Sequence, residues 1–506
     1  MFKIIQSASL SGSQSIPIQV EVSATTGLPQ ETIIGLPDTV IKESRSRIKS
    51  AILLSNYAFP AMAYIINLAP TDVPKKNSSL ELAIATAILT ITNQIDLPPD
   101  LCFIGGLSLD GTITPIKHLL PIIYYLPHYT DATFVIAADN EADIAPLNGV
   151  NYIGIRHLSD LSNLKKRTVS TIVAKPFVTT PIKRSFDDVR GHYMAKWACL
   201  AAAVGWHPLL FIGSPGIGKT LLIDRMPTLL PPLPHEQALQ NYCLELVVNP
   251  TTPYHNTPPY RTPHHSVSYA GMIGGKNPPQ PGEITRANHG ILFLDEIGEY
   301  HRSILETLRE PMETQCIHLS RAGNAITYPA NFLLVAAMNP CYCGNYYADT
   351  IPCRCSTGQL QKYWQKLSQP FLDRISICVV LSPVEPDAPT LSQRDLHDMA
   401  TTARNMAQKR NPDGAPNHHM STDFIESVSH LSPETQGVLN AYFDKHQSSM
   451  RVKKRLYQLA RTIADTLNQS AITTEAVSIA CQLNQHHLLP YTPQAPRVAN
   501  VSFLGT

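Results

Sequence analysis

The 506-residue sequence predicts an α/β nucleotide-binding core, set between an α+β segment and a helical one. Three observations carry this. Residues Gly213, Ser214, Pro215, Gly216, Ile217, Gly218, Lys219 and Thr220 spell GxxxxGK[ST] after an apolar run and before a helical pattern at 221–230. A second apolar run, 291–294, ends in two carboxylates, Asp295 and Glu296. From 390 to 484 the periodicity is helical, with no strand pattern.

The chain is too long for one hydrophobic core, so two or three domains are expected. The formal net charge of +1 excludes a whole-molecule basic field, leaving any nucleic-acid contact to a local patch or pore. No apolar run is long enough to cross a bilayer, and the first twelve residues lack a signal-peptide pattern. The expectation is a cytoplasmic protein without a membrane partner. In such a reducing compartment the isolated Cys102, Cys199, Cys243, Cys316, Cys378 and Cys481 read as buried thiols.

Residues 1–165 alternate strand-like runs (16–22, 64–68, 102–107) with helical ones. In 38–56, Val40, Ile41, Ile48, Ile52 and Leu53 recur at helical spacing, and 80–91 does the same after Asn-Ser-Ser. Residues 166–185 are polar and basic and read as a linker. In 186–384 short apolar runs (208–212, 290–294, 331–338, 376–381) alternate with helical stretches, the pattern of a parallel sheet covered on both faces. A Pro- and acid-rich hinge at 383–389 leads into the helical segment, 385–488, and a Pro-containing tail, 489–506.

The glycine loop fits phosphate chemistry. Its glycines let backbone N–H groups wrap phosphate, Lys219 reaches the β/γ-phosphates of ATP, and Thr220 offers an oxygen to Mg²⁺. Asp295 would hold the same Mg²⁺ and Glu296 would polarise the attacking water. Asn339 closes the next strand, where it would fix that water or serve as a turn residue before Pro340. Arg374 suits an arginine finger given to a neighbour's ATP, or a surface ion pair. Arg451 and Arg455 share a helix face, either reaching the nucleotide or facing solvent.

Cys341, Cys343, Cys353 and Cys355 form two CxC pairs. Four thiolates suit a structural Zn²⁺; free or redox-labile thiols are the alternative. Between Lys219 and Asp295 lies a Pro-, His- and Gly-rich stretch, 253–282. His264 and His265 there read as polar surface, while 269–275, Lys276 and Arg286 read as pore or single-strand contact loops.

With these motifs in view the chain resembles the Mg-chelatase-like ComM/YifB family. The resemblance rests on the glycine loop, Asp188-Val-Arg-Gly191, Arg261-Thr-Pro-His-His265, Pro281-Gly-Glu-Ile284, Leu292-Phe-Leu-Asp-Glu296 and Leu308-Arg-Glu-Pro311. Ala336-Ala-Met-Asn-Pro-Cys341, Leu372-Asp-Arg-Ile375 and Ala460-Arg-Thr-Ile-Ala-Asp465 extend it over nearly the whole chain. Gly35-Leu-Pro-Asp38, Lys42-Glu-Ser-Arg45 and Asn67-Leu-Ala-Pro70 resemble that family's Lon-protease-like N-terminal domain. The resemblance implies an AAA+ P-loop core with a helix-2-type insert, a helical lid and a hexameric ring. It implies a DNA helicase that drives branch migration in recombination during natural transformation, on single-stranded or branched DNA. It further implies Asn339 as sensor 1, Arg374 as finger and Arg451 as sensor 2. Asn77 departs from a common family Gly, and the last helix, read as 478–487, lacks an aromatic-Arg ending.

Two rival enzymes share parts of this pattern. One is a magnesium-chelatase motor, which has no need of the N-terminal segment. The other is a Lon-like serine protease with Ser79 as nucleophile. Its lysine position falls on Leu120, with Lys117 and His118 out of register, and Ser79 reads more simply as a helix N-cap. A non-enzymatic ATP-gated scaffold would have no need of Glu296 and Arg374.

Overall fold

The computed structural model describes residues 1–489 except 12–13, 72–74, 76–77, 128–130, 174–183, 276–278, 322–323, 349–350, 385–387, 430 and 447–448. Asn77, Lys276, half of the linker (174–183) and nearly all of the tail lie outside the described residues.

The N-terminal segment is an eight-stranded mixed sheet. Its strands are β1 (Phe2–Ser11), β2 (Gln14–Thr25), β3 (Gln30–Ile34), β4 (Ala63–Ala69), β5 (Leu101–Ile104), β6 (Thr133–Ala137), β7 (Asn151–Ile155) and β8 (Ser170–Thr171), in the order β8-β7-β6-β5-β1-β2-β4-β3. Helices α1 (Thr39–Leu54) and α2 (Glu81–Ile91) pack on it. Asp38 caps α1 by accepting from Ile41 N at 2.9 Å. Ile41, Ile48 and Ile52 are buried as their spacing predicts, whereas Leu53 faces outward. The linker begins later than its composition suggests, because β8 pairs antiparallel with β7.

The central segment is a five-stranded sheet of β9 (Leu209–Ile212), β10 (Tyr260–Arg261), β11 (Ile291–Leu294), β12 (Leu333–Met338) and β13 (Ile377–Val380), in the order β10-β11-β12-β9-β13. All four neighbouring pairs are parallel. Strands β9, β11, β12 and β13 are buried residue by residue, as apolar strands covered on both faces must be. Helix α3 (Tyr193–Gly205) packs on one face. Helix α4 (Lys219–Ile223) follows the glycine loop, and α5 (His235–Val248) precedes β10. The helical pattern at 221–230 is interrupted after Ile223 and resumes as a 3₁₀ turn, Met226–Leu229, containing Pro227.

The C-terminal segment is helical: α6 (Gln393–Arg410), α7 (Thr422–Ser429), α8 (Pro433–His446), α9 (Met450–Thr466) and α10 (Thr474–Leu483). The last helix starts four residues before the predicted 478 and ends before His487. These helices share one hydrophobic core with α3, β9 and β13. Lys196 on α3 ties the join, its buried ammonium donating to Phe186 O, Thr390 Oγ1 and Leu391 O at 2.7–3.0 Å. Leu239, Cys243 and Leu246 of α5 pack into the cluster around Ile122, Phe134 and Ile172, so the N-terminal segment seats on this helix. Cys316 and Cys481 are partly exposed rather than buried; the other four isolated cysteines are buried as expected. No described helix is long and apolar enough to cross a membrane.

Candidate nucleotide site and cysteine cluster

A parallel sheet gathers loops at the carboxyl ends of its strands, and the candidate residues sit there. The glycine loop leaves the end of β9, anchored by Gly213 N donating to Met338 O on β12. Gly216 and Gly218 take φ of 78° and 102°, the left-handed region where a β-carbon is strained. Lys219 folds back under the loop, donating to Gly213 O at 2.6 Å, Ser214 O at 3.0 Å and Asn339 Oδ1 at 3.0 Å. Burial pushes its pKa down, while Asp295 and Glu296 pull it back up. A buried ammonium held by two carbonyls and an amide is set up to exchange them for phosphate.

Thr220 Oγ1 donates to Asp295 Oδ2 at 3.2 Å, bringing together the hydroxyl and carboxylate that a hard divalent cation takes. Glu296 follows on the rim, exposed and at φ 49°. A non-glycine residue held there signals a constrained, functional position. The residues present therefore fit Mg²⁺ and the phosphates of ATP. Asn339 is fixed by its main chain as well: Tyr363 Oη donates to Asn339 O, and Trp364 Nε1 to Pro340 O, each at 3.0 Å.

The structure keeps the two histidines at the surface, His264 exposed and His265 partly so, but places them on a cleft. His264 and His265 line a cavity of about 420 Å³ together with Thr220, Asp224, Asp295 and Glu296. The cause is β10. Tyr260 pairs with Ile291 and Arg261 with Leu292. Carried three residues onward, this register sets His264 and His265 beside Asp295 and Glu296. Ser266 N donates to His264 Nδ1 at 3.3 Å, which leaves the proton of the neutral ring on Nε2. A two-residue strand in a proline-rich stretch gives no periodic signal, so the sequence did not place them.

Arg374 and Arg451 meet in a second cavity of about 300 Å³, which shares no residue with the first. Arg374 is 6 % exposed, pairs with Glu313 at 2.7 Å and donates to Pro370 O at 2.6 Å. Lys454 and Arg455 join the lining. Arg455 Nη1 is buried with no hydrogen-bond partner among the described residues. Burial, then the like charge of Arg374, brings its pKa to about 9. The solvated-face alternative fails for Arg455 but holds for Arg451, which is exposed, as is Lys454; the pocket gathers these cations and Arg374 around one carboxylate, Glu313.

Three other readings change. Arg286 is held by Glu245 and by Glu283 at 2.8 Å and is not a free loop cation. Tyr269 is exposed, at the start of a one-turn helix. Ser79 caps no helix: it is fully buried, with Oγ donating to Ala8 O at 3.3 Å, and Leu120 is buried too.

The four cysteines come together as the spacing allowed. Cys341, Cys343, Cys353 and Cys355 place all their sulfurs within 4.8 Å of one another. The sulfur separations are 3.3 Å for Cys341–Cys343, 3.6 Å for Cys341–Cys353 and 3.5 Å for Cys343–Cys353. Burial opposes ionisation of Cys343, but the N–H groups of Asn345 and Arg354 and the neighbouring thiols outweigh it, bringing it to about 6.

Parallel sheet, glycine loop, the Thr220–Asp295 contact and the helical segment on the same core define the class, a P-loop nucleotide-binding protein of the AAA+ kind. Three family models match in succession: "Subunit ChlI of Mg-chelatase" over 20–140, "Magnesium chelatase, subunit ChlI" over 185–388, and its C-terminal part over 391–484. The chain is 35% identical over 498 residues to YifB of Escherichia coli (strain K12), covering 94% of this chain and 96% of that protein. It is 32% identical over 491 residues to competence protein ComM of Haemophilus influenzae, covering 93% and 94%. The magnesium-chelatase 38 kDa subunit of Cereibacter sphaeroides is 26% identical over 174 residues, 31% of this chain and 52% of that one. The chain belongs to the Mg-chelatase-like ComM/YifB family, a family of AAA+ ATPases whose ligands are ATP and Mg²⁺.

Proposed function

We propose that this protein is an ATP-driven ring motor that moves on DNA and promotes branch migration. The observation that carries the motor reading is the division of catalytic groups between two cavities. Lys219, Thr220, Asp295, Glu296 and Asn339 bind and cleave ATP. Arg374 and Arg451 are gathered elsewhere, in a cation cluster suited to a neighbouring subunit's γ-phosphate. A site completed by the next copy makes hydrolysis depend on assembly, which is the logic of a hexameric ring. Similarity over nearly the full length to a competence protein supports DNA as the track.

In this reading residues 186–384 are the AAA+ core, 385–488 the lid, and 1–165 a Lon-protease-like domain without proteolytic activity. The burial of Ser79 and Leu120 supports the last point, since a nucleophile needs access and a base.

ATP hydrolysis measured with and without single-stranded or forked DNA, with Lys219→Ala as blank, tests the proposal. Strong stimulation by DNA is expected, together with ATP-dependent movement of a synthetic four-way junction. ATPase activity indifferent to every DNA would favour the second reading, a chelatase-type remodelling motor, which the ChlI family models support.

A further inference from the structure

We infer that the cysteine quartet is a zinc-binding clip that holds the glycine loop and Asn339 in one geometry, so that metal occupancy sets affinity for ATP. The inference rests on the nucleotide-site reading above for its second half only; the metal half stands on the sulfurs.

Four thiolates around Zn²⁺ at about 2.3 Å sit at the corners of a tetrahedron with edges of about 3.8 Å. The three separations among Cys341, Cys343 and Cys353, 3.3–3.6 Å, are near-equal and close to that edge. None of the three is as short as the ~2.05 Å of a disulfide bond. All four cysteines are free. Backbone N–H groups of Asn345 and Arg354 point at Cys343 Sγ, and that of Cys355 at Cys353 Sγ. Such donors disperse thiolate charge and orient metal ligands. Soft sulfur donors closed on four sides select Zn²⁺ over Mg²⁺ and leave no open position for catalysis.

Asn339, which touches Lys219, is two residues before Cys341. The turn after Cys343 closes with Gly344 N donating to Cys341 O at 3.0 Å, and Gly344 has φ 78°. Its backbone lies against the glycine loop: a β-carbon at Gly344 would stand 2.5 Å from Pro215 Cδ and 2.9 Å from Cγ. Tyr342 packs its ring on Tyr363, 4.8 Å between centroids, and Tyr363 holds Asn339 O. One metal would thus brace both the strand end carrying Asn339 and the loop carrying Pro215. Without it, no cross-link joins the two CxC pairs.

The test uses the full-length protein purified anaerobically without chelator. Elemental analysis is expected to give about one zinc per chain. Replacement with cobalt(II) chloride is expected to give the thiolate-to-metal and d–d absorption of a tetrahedral sulfur site. Metal-free protein would overturn the metal site. Cys343→Ser and Cys353→Ser should lose the metal and weaken binding of a fluorescent ATP analogue about tenfold. Because these variants risk misfolding, Gly344→Ala supplies the second arm. It keeps all four ligands but pushes on Pro215, so it should retain zinc and still bind ATP more weakly. Unchanged ATP affinity in a zinc-stripped, folded protein, or in Gly344→Ala, would overturn the clip. Lys219→Ala, which should keep zinc while losing ATP, separates a failed clip from a failed nucleotide site.

Discussion

Lys219 Nζ and Asn339 Oδ1 lie 3.0 Å apart, joining the glycine loop to the end of the neighbouring strand. The contact makes distinct predictions for the two residues. On the proposed function Lys219 is the phosphate-binding cation, so Lys219→Ala is expected to abolish ATP binding. On the same reading Asn339 acts on water and the γ-phosphate, so Asn339→Ala should bind ATP nearly normally but turn over about 100-fold more slowly. Glu296→Gln should likewise bind and fail to hydrolyse, by a factor of about 10²–10⁴. Equilibrium binding and single-turnover hydrolysis separate these outcomes. A large loss of affinity in Asn339→Ala would make it a structural strut for Lys219 instead.

Arg374 and Arg451 belong to the pocket apart from Thr220, and a mixing experiment tests whether they serve a neighbour. Arg374→Ala is expected to assemble yet lose about 10³-fold in turnover. Lys219→Ala keeps Arg374 but cannot bind ATP. Mixing the two inactive variants should restore activity at interfaces that pair an intact finger with an intact glycine loop. No recovery on mixing, with co-assembly verified, would place Arg374 in its own subunit's reaction. Glu313→Gln should retain turnover, because its carboxylate only occupies the cation cluster.

Much of this was legible in the sequence because it is local. A glycine loop needs its strand before and helix after, and both are contiguous with it. The acid-ended β11 and the four cysteines are read the same way. What was not legible depends on pairing over distance. β10 exists only because Tyr260 and Arg261 add to the edge of β11, and that pairing brings His264 and His265 into the nucleotide cleft. The pairing of Arg374 with Glu313 and the burial of Arg455 likewise arise where α9 closes over the core. The helix after the glycine loop stops at Ile223 despite continuing apolar periodicity, since Pro227 enters a tighter turn.

Asp465 is expected to be a main support of the helical segment. It is fully buried and accepts from Arg410 at 2.6 and 2.8 Å, from Arg461 at 2.9 and 3.2 Å, and from Asn417 at 2.9 Å. Arg461 is itself fully buried. Asp465→Ala leaves two guanidinium groups without their shared carboxylate and should destabilise by about 3–5 kcal/mol. Chemical denaturation checks this; a loss below about 1 kcal/mol would mean that water replaces the carboxylate.

Stability should fall on mild acidification through His207. Its ring is fully buried, with Nε2 2.8 Å from Thr462 Oγ1, and burial depresses its pKa to about 3. The unfolded chain binds this proton near pH 6.5, the folded chain only near 3. Between those values the unfolded state holds more protons, so stability rises with pH and is lost as pH falls. One such group contributes a slope of about 1.4 kcal/mol per pH unit. His418 and His419, also depressed by burial, add in the same direction. Denaturation at pH 7, 6, 5 and 4 should steepen accordingly, and His207→Gln should remove about one proton from the slope. An unchanged slope in that variant would mean that His207 is already protonated in the folded state.

His264 should discriminate ATP from ADP. Its ring lines the cleft with Thr220, Asp295 and Glu296, and its Nδ1 is taken by Ser266. In the proposed ATP complex its Nε2–H would be the group able to donate to the terminal phosphate, from the loop after β10, beside the residues that follow β11. Such a donor would reach the γ-phosphate rather than the β-phosphate. His264→Ala is therefore expected to weaken ATP binding about tenfold while leaving ADP affinity within about twofold, the loss of one hydrogen bond to a charged group. His264→Gln, which keeps a side-chain N–H donor, should recover part of the difference. Ser266→Ala removes the Oγ contact at 2.7 Å and should give a smaller loss of the same kind. Fluorescent ATP and ADP analogues measured side by side read the ratio directly. Equal weakening of both nucleotides would reduce His264 to a wall of the cleft, and no change in either would return it to the polar surface that its sequence context suggested.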